Sequence, residues 1–263
     1  MTRRRARARC QSAGLCYMLV AAMWTDAVEL RDFYATSLGS AARRMIRTRI
    51  RAHWPDVRGL TVLGLGFATP YLGPFRAEAG RVLAAMPAMQ GVLRWPADGN
   101  GLTALADEAE LPLPDLSMDR VLLVHALECT ERVRPMMREI WRVLSDSGRL
   151  LVVVPNRRGI WARFERTPFG HGLPYTTGQI TRLLRETMFT PVRSSAALYV
   201  PPTRSRMVLS SAPAFEEIGQ RWFTAFAGVV MAEAEKAIYA GQTKSTARRR
   251  RAYVHLAQKS PGH

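Results

Sequence analysis

Cysteine is scarce in this chain: Cys10, Cys16 and Cys129 are the three in 263 residues. Their odd number and irregular spacing exclude a disulfide framework and a cysteine-rich zinc site, and suit a reducing, cytoplasmic compartment. No metal ligand is expected anywhere. Long apolar runs are also missing. No stretch stays apolar over the roughly 20 residues that a membrane-crossing helix needs, so no integral membrane association is expected. Acids are few, 21 against 38 Lys and Arg, for a formal net charge of +17. That imbalance sits at the ends. Five arginines fall within residues 1–9 and six Lys or Arg within 244–263, with no acid in either segment, which leaves +6 on residues 10–243. A body so mildly basic does not point to nucleic acid. Only the tails carry that kind of charge, and terminal runs are ordinarily solvated.

What is present is a large apolar fraction, 48% of the residues, enough for one sizeable core and therefore one domain. The expected organisation is a basic leader or over-extended start over 1–23, a single domain over 24–243, and a basic C-terminal tail over 244–263. The arginine-rich start followed by residues 13–23 has the layout of a signal peptide with a poor cleavage site. Asp26 and Glu29 form a helix-start pair directly after it, so Met23 is the expected beginning.

Residues 26–54 read as helical, with Ile46, Ile50 and Trp54 four apart and Pro55 closing the segment. Strand-like runs then recur about every twenty residues, over 60–65, 81–86, 102–107, 120–125 and 149–155. The last is apolar throughout, as a strand covered on both faces should be. Met137, Ile140, Trp141 and Leu144 make one helical stripe before it, and Gly148 marks the turn between them. Thr176 or Thr177 begins a further helix with a buried stripe of Ile180, Leu183, Leu184 and Met188. Strand candidates over 192–200 and 228–236 follow as an antiparallel pair. No repeat is visible beyond this alternation. The sum is an α/β, Rossmann-like, doubly wound seven-stranded sheet, mostly parallel with an antiparallel last strand.

The run TVLGLGFATPYL (61–72) delivers a buried strand to Gly66 and an irregular turn, the arrangement by which a first parallel strand meets a nucleotide-type ligand. Together with LPLPDLSMDRVLLVHALE (111–128), MMREIWRVLSDSGRLLVVVPN (136–156), YTTGQITRLLRETMFTP (175–191) and GVVMAEAEK (228–236), it resembles the class I S-adenosyl-L-methionine (SAM)-dependent methyltransferases of the type 11-like group. The resemblance spans roughly residues 58–240. It implies SAM as cofactor, a small molecule or other nucleophile as methyl acceptor, and a cofactor site at Gly64, Leu65, Gly66, Met86, Asp107, Glu108 and His125.

Several of those positions depart from the family pattern. Gly64 stands where an acid organises the amino end of SAM, Met86 where an acid accepts from the ribose hydroxyls, and Ala68 and Pro70 where further glycines occur. Gln90 and Glu78, on nearby loops, are the available substitutes. Asp107 matches the acid that reads the adenine amino group, and His125 is the candidate general base. Two lost charge-assisted hydrogen bonds, at about 1.5–3 kcal/mol each, weaken cofactor binding roughly 10²- to 10⁴-fold. A catalytically silent methyltransferase-like module that binds a ligand or partner protein is therefore the alternative. A dinucleotide site ranks third, because residues 64–69 depart from G-x-G-x-x-G/A at the last position and Met86 stands near the expected ribose acid.

Other residues carry structural expectations. His171 and Tyr175 belong to a glycine- and proline-rich turn, Glu128 to a helix start, and Arg157 and Arg158 to a solvated loop. Trp222, Phe223 and Phe226 are expected to pack under the last strand. Removing residues 1–23 and 244–263 is expected to shift Tm by only a few degrees, about 1 kcal/mol for a domain of this size, measured by calorimetric melting of the truncated chain.

Overall fold

The computed structural model describes residues 24–222 and 226–237. The two basic tails and Phe223 lie outside the described residues. Seven strands form one sheet in the order β3-β2-β1-β4-β5-β7-β6. The strands are β1 (Thr61–Gly66), β2 (Arg81–Pro87), β3 (Thr103–Ala106), β4 (Met118–Val124), β5 (Leu144–Pro155), β6 (Phe189–Ala197) and β7 (Val229–Lys236). Strands β1 to β5 pair in parallel, and β7 runs antiparallel to both β5 and β6. The expected fold class is the observed one.

Alternate residues of the strands feed two cores. Val62, Ala84, Met86, Leu122 and Val153 face one of them, together with α1 (Ala27–Ala35), α2 (Ser37–His53) and α3 (Thr69–Leu72). Leu63, Leu65, Leu123 and Val152 face the other, with α4 (Val133–Val143) and α5 (Thr177–Glu186). Helices α6 (Arg206–Ser210) and α7 (Ala212–Trp222) lie between β6 and β7 in the chain. This is the strand pattern of a sheet covered on both faces.

The single helix expected over 26–54 is two. Thr36 is extended (ψ 161°) and caps α2 by accepting from the Gly39 N–H at 3.0 Å, while its hydroxyl donates to the Phe33 carbonyl at 2.7 Å. A side chain able to satisfy both helix ends favours a break over continuation. Asp26 caps α1 through the Val28 N–H at 2.7 Å. Thr176 caps α5 in a reciprocal box with Gln179. Met188 is not part of the α5 stripe. The helix ends at Glu186, and Met188 takes a positive φ of 64° and is exposed. Strand β6 starts three residues earlier than expected, because Phe189 pairs with Lys236 and Leu198, at φ 70°, ends it. Gly148 lies in an irregular part of β5, where the pairing jumps from Met118–Leu144 to Arg120–Arg149. Trp222 and Phe226 are 72% and 61% exposed, so they do not pack under β7.

A buried carboxylate ties the C-terminal end of α2 to the sheet. Glu233 of β7 accepts from His53 Nδ1 at 3.1 Å, Trp54 Nε1 at 3.2 Å and Arg149 at 3.3 Å. Burial pushes its pKa up, but the hydrogen bond and charge of His53, and then of Arg149, outweigh burial and hold it below the ordinary glutamate value. Removing one partner of such a group leaves uncompensated buried charge. Glu233→Ala should therefore cost about 3–5 kcal/mol in urea-unfolding experiments. Because the folded-state pKa is depressed, the wild-type advantage over Glu233→Gln should be full above about pH 4.3, the unfolded value, and shrink as the pH falls through the folded one.

Candidate functional site

The sheet order places β1 between β2 and β4: the chain runs from β1 to β2 and β3 on one side, then crosses from β3 to β4 on the other. A crevice opens at such a point, outside the carboxyl ends of the strands. The sequence-expected site residues all fall at or near this edge: Gly64, Leu65 and Gly66 on β1, Met86 on β2, Asp107 and Glu108 after β3, and His125 after β4. Proximity to the edge does not make them equivalent.

The two glycines of β1 answer to packing. A Cβ on Gly66 (φ 81°) would sit 2.3 Å from the Val124 carbonyl oxygen and 2.8 Å from Ala126 Cβ. A Cβ on Gly64 would sit 2.7 Å from both Ala68 Cβ and Leu72 Cδ1. Helix α3 thus presses on β1 through the residues that follow the glycine loop, and no side chain fits at position 64 without displacing it. Leu65 and Met86 are fully buried, and the Met86 sulfur faces the Leu93 N–H at 3.5 Å.

The acids after β3 are engaged elsewhere. Asp107 is half exposed and holds Arg132 through two contacts of 3.0 and 2.8 Å, while also accepting from the Ala109 N–H. That backbone hydrogen bond, followed by Arg132, lowers its pKa. Glu108 is buried and accepts from the Thr130 hydroxyl at 3.0 Å. Glu78, one of the two available substitutes, is ion-paired with Arg51 at 2.9 Å.

His125 is the centre of a buried polar chain. It ends β4 at a positive φ of 51°, and both ring nitrogens are taken: Nδ1 by Glu128 Oε1 at 3.2 Å and Nε2 by the Tyr34 hydroxyl at 2.7 Å. The Tyr34 hydroxyl also meets that of Tyr71 at 2.7 Å. Burial, then the neighbouring Tyr71 and Glu128, raises the Tyr34 pKa well above its ordinary value, so the phenol stays protonated at neutral pH. Phe67 stacks on Tyr34 with centroids 6.0 Å apart and planes 13° apart. With both ring nitrogens hydrogen-bonded, His125 presents no free nitrogen to a substrate.

Glu128 corrects its expected role. It is not at a helix start, since α4 begins at Val133; it is buried beside His125. Gln90, four residues past Met86, is buried as well and donates through Nε2 to the His125 carbonyl at 2.8 Å. Gln90 Oε1 and Glu128 Oε2 have no hydrogen-bond partner among the described residues. Two orphaned acceptors therefore flank the same histidine. Tyr34 and Tyr71 were invisible to motif reading, because Tyr34 lies 91 positions from His125 on a helix whose sequence shows only an apolar face.

Among the described residues there is no group of three or more His, Cys, Asp or Glu side chains arranged to hold a metal ion. No helix among them is long and apolar enough to cross a membrane.

Comparison with known proteins agrees with this fold. The model of a methyltransferase domain family matches residues 63–152, from β1 into β5. A demethylmenaquinone methyltransferase from Corynebacterium glutamicum is 29% identical over 133 residues, which are 51% of this chain and 58% of that protein. The match thus spans little more than half of the curated relative. Among solved structures, a SAM-dependent methyltransferase from Thermotoga maritima superposes with a TM-score of 0.56 at 14% identity, covering 78% of this chain and 93% of the other. The 1,6-didemethyltoxoflavin-N1-methyltransferase of Burkholderia thailandensis, solved with its substrate and S-adenosylhomocysteine, gives 0.53 at 18%, covering 88% and 90%. The cyclase SpnF gives 0.51 at 18%, covering 74% and 82%. At these identities the structures establish the fold alone. The strand order and these superpositions establish a class I methyltransferase-like fold, and within it residues 63–152 match the methyltransferase domain family.

Proposed function

We propose that this protein binds SAM and transfers its methyl group to a small molecule or another nucleophile. The observation that carries the reading is the pair of orphaned buried acceptors, Gln90 Oε1 and Glu128 Oε2, on either side of His125 at the crevice. A buried acceptor without a donor costs free energy that a ligand with N–H or O–H groups recovers. SAM carries such donors in its ammonium and ribose hydroxyls. On this chain Gln90 and Glu128 fit it, whereas Gly64 and Met86, the positions where the family carries acids, do not. Asp107 remains the candidate for the adenine amino group if Arg132 yields its place.

When bound, SAM supplies a methyl group on a sulfonium centre, open to in-line displacement. The protein's part is then to align the acceptor and to manage its proton. The Glu128–His125–Tyr34 chain is built for the second task, because a proton entering at Tyr34 has a continuous hydrogen-bonded route to a carboxylate. His125 is a positioning residue in that chain.

A second reading, a catalytically silent module that binds a ligand or partner, draws on different observations. Met86 fills the position of the family's ribose acid with apolar bulk, and α3 leaves no room at Gly64. Fold membership does not by itself carry activity.

Isothermal titration calorimetry with SAM and S-adenosylhomocysteine separates the two. Saturable binding is expected, weakened about 10- to 100-fold by Gln90→Ala or Glu128→Gln, the range for losing one hydrogen bond to a charged or polar ligand group. No detectable heat with either compound at millimolar concentration would establish the silent reading. Restoring an acid at position 64 is not expected to help. Gly64→Asp should instead lower stability by about 1–3 kcal/mol in denaturant melts, because its side chain meets Ala68 and Leu72.

A further inference from the structure

A cavity of about 960 Å³ lies beside the glycine loop, against Phe67, Thr69 and Pro70. Its walls include Arg31 of α1, Arg43 and Arg47 of α2, Arg94 after β2, and the rings of Phe67 and Trp95. Among the described residues, no aspartate or glutamate lines it. Arg31 is paired with its neighbour Asp32 at 2.8 Å, and Arg94 donates to the Gly99 carbonyl. Arg43 and Arg47 have no ion pair with any acid among the described residues. Arg43 is also felt electrostatically by the buried phenols of Tyr34 and Tyr71.

We propose that this cavity binds a small molecule carrying a diphosphate or comparable phosphoryl group joined to an apolar or aromatic body. Arg43 and Arg47 sit four residues apart on one helix face, where like charges repel unless an anion lies between them. Guanidinium groups match phosphoryl oxygens in a two-point fork, and a cavity rimmed by one sign of charge concentrates ligands of the other. The charge count selects the head group. With Arg31 paired to Asp32, the three guanidinium groups of Arg43, Arg47 and Arg94 around one space still exceed what a single carboxylate neutralises and suit a compact group of two or more negative charges. Phe67, Trp95 and half-buried Leu93 supply the apolar wall that inorganic phosphate would leave uncovered. The volume lies within the range of small-molecule sites. Because Tyr34 also lines this space, a ligand there rests on the phenol that His125 holds.

The site stands whether or not the protein binds SAM, and the experiment keeps the two apart. The full chain is titrated with inorganic pyrophosphate, ADP and adenosine at fixed ionic strength, with a separate SAM titration, by calorimetry. Pyrophosphate and ADP should bind saturably, ADP more tightly, and adenosine should not bind. Arg43→Gln with Arg47→Gln should weaken both at least about tenfold. The charge-matched pair Arg134→Gln with Arg138→Gln, on α4 across the sheet, should leave affinity unchanged. If the first pair alters the melting curve, Arg47→Gln with Arg94→Gln, both exposed, replaces it. Equal weakening by the α4 pair would show attraction to net charge alone and overturn the site, as would no saturable pyrophosphate or ADP binding at millimolar concentration. Loss of SAM binding with ADP binding retained would leave the inference intact and remove only the methyl-transfer reading.

Discussion

The close approach of β1 to its neighbours is the constraint on which the rest of the molecule depends. Gly66 lies against the end of β4, and Gly64 lies beneath α3. Neither contact tolerates a side chain. This packing brings the carboxyl ends of β2, β1 and β4 together at the reversal in strand order, where open α/β sheets bind their ligands. Directly after that contact His125 turns the chain at positive φ and meets Tyr34. The crevice and the buried polar chain therefore share one edge of the sheet.

The same packing accounts for the missing acid at position 64. Helix α3 begins with Pro70 at its second residue and ends at Leu72, and the chain tightens at once into the turn Gly73–Phe75. A helix so short and so close to the strand fills the space a carboxylate would need. The buried polar groups near this edge are Gln90 and Glu128, which approach His125 from the loops after β2 and β4. Gln90 Oε1 and Glu128 Oε2 are left without partners among the described residues, and low local dielectric makes such buried, unpaired polar atoms costly.

Charge is partitioned with similar economy. Glu233 gathers His53, Trp54 and Arg149 on β7 and pins α2 to the sheet. Arg43 and Arg47, nearer the middle of the same α2, line a cavity with no acid among its described residues. One helix thus spends its C-terminal end on stability and its middle on an electropositive surface.

Much of the fold was legible in the sequence, because a strand covered on both faces must be continuously apolar and a crossover helix must carry a periodic stripe. All five parallel strands and the antiparallel pair follow from those two rules, as does the class I arrangement once the ordered segments are compared. Boundaries failed where one residue's backbone decided them: Thr36 splits a helix, and Met188 and Leu198 turn the chain at positive φ. The site was less legible. Gly64, Met86 and His125 fall on β1, on β2 and just after β4, as their motif positions implied, but what surrounds each depends on neighbours far away in the chain. Asp107 is held by Arg132, His125 by Tyr34 and Glu128, and the cavity's arginines come from three separate segments. The sequence by itself determined the alternation of elements and hence the sheet, since periodicity is a local property. Which polar atoms are left without partners, and which charges face one another across a cavity, only the tertiary structure decided, because those are properties of distance in space.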